Sequence, residues 1–165
     1  MSLLKLGQQG HDSRAIANIF VEKFQQAKRR LTIMPLIKYV YMAHGWTLGY
    51  TGKPLICHQV EAWKHGPVIP EVYRAFGHQM VVSEKARMYD PEFSPLPYYD
   101  YEIALDEAET AIVDKVYEKY SELGAFALSE LTHREGTPWD ECNTGHFTPI
   151  PDAVIKTYYE KLIAE

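Results

Sequence analysis

The sequence predicts a mainly α fold: a single compact helical domain of about five to seven helices, with a short β-hairpin or strand pair around residues 56–64 and 101–105. Three observations carry that reading. Apolar residues recur at the 3.6-residue helical spacing in several long windows, and glycine and proline separate those windows. A length of 165 residues suits one domain and suffices for a single sizeable core without disulfides or metal. A content of 46% hydrophobic and 24% charged residues is that of a folded globular chain rather than a disordered one. Residues 1–165 are therefore expected to form one unit, with a flexible N-terminus over 1–12 and an irregular connection over 78–101.

Asp12 or Ser13 is placed to cap a first helix running to about Arg30, whose positions Ile16, Ile19, Phe20, Phe24, Ala27 and Leu31 form a core face. A second helix follows Thr32, with Pro35 near its first turn and apolar residues around most of its circumference, which predicts a central position. Gly52 and Pro54 stop it. The stretch from Ile56 to Trp63 alternates loosely, as a short strand does, and Pro70 to about Gly77 reads as a short helix. Pro91, Pro95 and Pro97 break any helix in the following connection. Asp106 and Glu109 form a capping-box pattern that opens a helix bearing Ile112, Val113, Val116, Tyr117, Tyr120 and Leu123 on one face, with Gly124 as its stop. Residues 127–131 suit a short helix, Thr137-Pro138 opens another, and Pro151 to Ile163 supplies the last.

Charge and cysteine usage narrow the function classes. A formal net charge of -5 gives no global attraction for a polyanion, and the one basic run, Lys28-Arg29-Arg30, falls where cations complement a helix C-terminus, so nucleic acid is a disfavoured partner. Cys57 and Cys142 are distant and lack CxxC spacing, which argues for a reducing cytoplasm over a disulfide framework or a zinc knuckle. The opening MSLLKLGQQGHDS is too short in apolar residues for a secretion signal, and no window approaches a membrane span. The oligomeric state is not encoded in any of these features.

Catalytic signatures are absent. The seven histidines show no HExxH, HxH or Cys-His spacing, Ser129 lacks the GxSxG elbow, and no phosphate-binding glycine loop occurs, so no catalytic residue, metal or cofactor is predicted. What stands out is the bend at Trp63, Lys64 and His65, where Gly66-Pro67 is read as the turn because proline locks φ and restricts the residue before it. Trp46 reads as a core aromatic. Trp63 fits a core position and an exposed interface anchor about equally, and Thr132-His133 fits either a local capping hydrogen bond or a partner contact.

Taken together, GKPL at 52–55, EAWKHGPVIPEVYRAF at 61–76, LTHREGTPWDE at 131–141 and IPDAVIKTYY at 150–159 resemble the successive motifs of the Panacea antitoxin domain, a SocA-like, phage-associated family formerly classed as a domain of unknown function. The resemblance implies a cytoplasmic antitoxin that neutralises a cognate toxin protein by direct stoichiometric binding. Two alternatives stand beside it: an adaptor delivering a toxin to a protease, and, ranked last, a small hydrolase using His133. By resemblance the motif or partner-binding residues are Trp63, Lys64, His65, Gly66, Pro67, Tyr73, Thr132, His133 and Trp139. Residues 78–101 match no family pattern and are a candidate for setting toxin choice.

Overall fold

The computed structural model of the chain describes residues 10–165, and most of the expected flexible N-terminus, residues 1–9, lies outside them. Within the described part, His11 pairs backbone to backbone with Leu55 and Cys57. Helix α1 spans Ser13–Gln26 and is capped by Asp12, whose carboxylate accepts from the Arg14 N–H. Helix α2, Ile33–Thr51, carries Pro35 in its first turn and ends at Gly52 with φ of 74°. It is the centre of the molecule, buried on nearly every face and packed against α1, α3 (Pro70–Phe76), α4 (Glu107–Tyr120), α5 (Ala125–His133) and α7 (Asp152–Ala164). The short helix α6 is Pro138–Cys142.

Two glycines set how closely α7 seats on α2. A Cβ at Gly45 would stand 2.2 Å from the Tyr159 ring, and one at Gly49 would stand 2.9 Å from Ile163 and from Tyr159 Cβ, so this i, i+4 pair makes the groove that α7 fills. The start of α7 is fixed polar-side as well. His44, fully buried on α2, accepts the Leu55 and Ile56 N–H groups at Nδ1 and donates from Nε2 to Asp152 at 2.8 Å. That pattern places the ring proton on Nε2.

The strand expectation is half met. Strand β1 (Val60–Trp63) exists, but its partners are β2 (Gly66–Val68) and β5 (Thr148–Ile150), both antiparallel, in the order β2-β1-β5. No strand forms over 101–105. Tyr101, Ile103 and Leu105 do alternate inward with Glu102 and Ala104, as a strand would, yet this stretch has no ladder partner and is held at Tyr101 by Ala86 and Asn18 instead. Asn18 also exchanges two hydrogen bonds with the Ala86 backbone, at 2.9 and 2.7 Å. The segment expected to be irregular holds a two-residue ladder, β3 (Arg87–Met88) with β4 (Tyr99–Asp100). Prolines sit on both edge strands of the larger sheet, Pro67 on β2 and Pro149 on β5, where a missing N–H costs least and further strand addition is discouraged.

Helix α4 opens with the anticipated capping box, Asp106 and Glu109 satisfying each other's backbone N–H. It ends at Tyr120, earlier than Gly124, because Gly124 serves instead as the residue preceding α5.

Candidate functional site

The β1–β2 hairpin turns two residues earlier than its Gly-Pro dipeptide implies. Trp63 pairs with Gly66, so Lys64 and His65 form the turn and both are exposed, while Gly66 and Pro67 are buried strand residues. Gly66 takes φ of 120°, a region closed to residues with a side chain, and a Cβ there would meet Lys38 Nζ at 3.0 Å and Thr132 Oγ1 at 3.3 Å. Gly-Pro therefore shapes the arm of the hairpin rather than its tip.

Beneath that arm lies a residue the sequence reading passed over. Lys38 is 1% exposed, donates to the Pro67 carbonyl oxygen at 2.8 Å, and has no carboxylate within ion-pair distance among the described residues. Burial pushes its pKa down to about 7. Among Lys, Arg, Asp and Glu, α2 holds Lys38 alone, and that isolation on a largely apolar helix is the legible signal.

The remaining motif residues fasten the hairpin to α5 and α6. Trp139 donates from Nε1 to the Trp63 carbonyl oxygen at 2.6 Å, and Ser129 Oγ donates to the His65 carbonyl oxygen at 2.6 Å. His133 packs edge-on against Trp139, with centroids 5.2 Å apart, and its Nδ1 also meets the Ser129 carbonyl oxygen. Thr132 is buried, and its hydroxyl donates back to Leu128 O at 2.9 Å, a local helix bond. Thr137 caps α6 through the Asp140 N–H and donates to Arg134 O.

Outward from this scaffold runs an aromatic surface. The Trp63 ring meets Tyr73 at 5.2 Å and Phe147 at 5.1 Å, both edge-to-face, and its Nε1 donates to Glu61 at 2.7 Å. Tyr73 is 42% exposed and Phe147 is 61% exposed. Phe147 sits at φ of 53°, an unusual conformation for an aromatic residue, just before β5. It has no counterpart among the predicted site residues, since nothing local in the sequence connects position 147 to position 63.

The nine residues named from the sequence thus fall into three groups. Trp63, Lys64, His65 and Tyr73 reach the surface together; Gly66, Pro67 and Thr132 are buried beneath; His133 and Trp139 are half-buried links. No group of three or more His, Cys, Asp or Glu side chains is arranged to hold a metal ion among the described residues. No described helix is long and apolar enough to cross a membrane.

Comparison with known proteins agrees with this architecture of motifs. The family model described as Antitoxin SocA-like, Panacea domain, matches residues 36–140, which contain most of α2, the hairpin and the Thr132–Trp139 links. Antitoxin SocA of Caulobacter vibrioides (strain NA1000 / CB15N) is 31% identical over 160 residues, covering 90% of this chain and 82% of that protein. The chain belongs to the SocA-like Panacea antitoxin family. No solved structure matches it.

Proposed function

We propose that this protein neutralises a cognate toxin by direct, stoichiometric protein binding in the cytoplasm, and that the face made by Tyr73, Trp63, Phe147, Lys64 and His65 is one edge of the contact. The observation that carries the reading is the exposed Tyr73 and Phe147 rings packed on half-buried Trp63 beside Lys64 and His65, mounted on a hairpin whose backbone is tied down from below. Rings that stay ordered before binding lose little entropy on contact, and aromatic anchors dominate interface energetics. Occupation of the toxin is the whole activity in this reading, and no chemical step is assigned to His133, whose ring is turned toward Trp139 and its own helix.

Co-purification with a toxin encoded beside this gene tests it. A stable one-to-one complex is expected, with Tyr73→Ala, Phe147→Ala and the Lys64→Ala/His65→Ala pair each weakening affinity at least about tenfold. Unchanged affinity in all three would remove this face from the interface and leave the motif a scaffold role. Disappearance of the toxin in cells, dependent on a protease, would replace occlusion by delivery.

A further inference from the structure

The C-terminal half of α2 and one face of α4 enclose an open groove of about 570 Å³, floored and walled by Trp46, Tyr50, Ala108, Ala111, Ile112 and Val116. Its α4 positions, including Lys115 and Lys119, follow the spacing of one continuous helical face. The groove therefore runs for about three turns, roughly 17 Å at 1.5 Å per residue. Ala108 and Ala111 are exposed and small, which keeps one wall low enough for a second helix to approach to ordinary packing distance. Tyr50, 63% exposed at the far end, stacks on the Trp46 ring, the one aromatic neighbour it has among the described residues.

Charge distinguishes this groove from the rest of the chain. The protein carries a net charge of -5, yet the charged side chains lining the groove are both lysines. Lys119 lies over the Trp46 and Tyr120 rings, 5.3 Å from each centroid, with no carboxylate in ion-pair range among the described residues. Lys115 is 83% exposed and, among the described residues, meets only Glu118, at 3.5 Å. Of the other acids of α4, Glu109 pairs with His11 and Asp114 with Lys23, while Glu107 in the first turn has no ion-pair partner among the described residues.

We infer that this groove receives an amphipathic helix of a protein partner, its apolar stripe filling the channel and its flanking Asp or Glu side chains meeting Lys115 and Lys119. An apolar channel of helical length with charged borders is how grooves read a helix through its i, i+3, i+4 and i+7 anchors. The surface shares no residue with the hairpin face, and its assignment stands whether or not that face binds a toxin.

The test uses labelled peptides of about 18 residues, long enough for appreciable helicity, titrated onto the full chain by fluorescence anisotropy. One carries leucines at helical spacing flanked by glutamates, a second replaces the glutamates by lysines, and a third breaks the first with a central proline. The acidic peptide is expected to saturate in the micromolar range, with the other two at least tenfold weaker. Ala111→Glu, at an exposed helical position that circular dichroism should show to be folded, is expected to weaken the acidic peptide at least tenfold. The Lys115→Glu/Lys119→Glu pair should do the same and improve the lysine peptide. Absence of saturable binding, or indifference to Ala111→Glu, overturns the inference. So does a dimer of the unliganded chain that Ala111→Glu converts to monomer in sedimentation velocity, which would assign the groove to a second copy.

Discussion

The hairpin at 60–68 and the connection at 78–101 look alike in sequence, each mixing proline, aromatic and charged residues, yet they are held differently. The hairpin is short, but bonds from Lys38, Ser129 and Trp139 reach its backbone from three helices. The connection is more than twice as long, and Tyr89, Phe93, Leu96 and Tyr98 stand largely in solvent, with ring pairs formed inside the segment, Tyr89 with Tyr98 and Phe93 with Tyr99. Its ties to the rest of the molecule lie near its ends, where Val82 donates to Leu31 O, Gln25 to Ser83 O, Lys85 pairs with Glu22, and Asn18 bonds Ala86 and Tyr101. Composition sets what a segment is able to display; fastening to distant elements sets whether the display is ordered.

That contrast breaks most visibly at Gly66. Gly66→Ala forces a side chain into φ of 120° against Lys38 and should cost about 2–3 kcal/mol, read as a lower urea midpoint at unchanged slope. A cost under about 0.5 kcal/mol would mean that the arm relaxes freely and is not fastened.

Lys38 sharpens it further. Its folded pKa of about 7 lies well below the roughly 10.4 of an unfolded chain, so between those values the unfolded state binds more protons and stability rises with pH. The penalty of the buried charge is complete below pH 7 and fades above it. Urea titrations of the parent and Lys38→Met, compared between pH 7 and 9, should show the parent gaining about 2 kcal/mol on the variant, since the variant lacks this linkage while all other groups cancel. Parallel profiles would show Lys38 to be charged and solvated. The smallest effect belongs to the connection, where Phe93→Ser should change stability by less than about 0.5 kcal/mol, and a loss above about 2 kcal/mol would make the segment part of the core.

Helical content was readable in the sequence because it is encoded locally. The Asp106–Glu109 box, the Pro at 35, 70 and 138, and the Gly52 stop each act within one turn of their own residue. The strand pairing was not, because β5 comes from residues 148–150 and nothing near 60–63 points to it. The extended run at 101–105 carries strand-like alternation without a ladder, and periodicity alone does not separate the two. The candidate site divided in the same way: the Trp63–His65 bend was legible as an unusual local composition, whereas Phe147, Ser129 and Lys38 become neighbours only through packing.

The Trp139 bond to Trp63 spans 76 positions, and β5 with Phe147 joins later still. A ribosome must thus release the chain through residue 150 before the aromatic face exists. Chains truncated before Phe147 would carry every motif residue of the hairpin and still present no finished aromatic face.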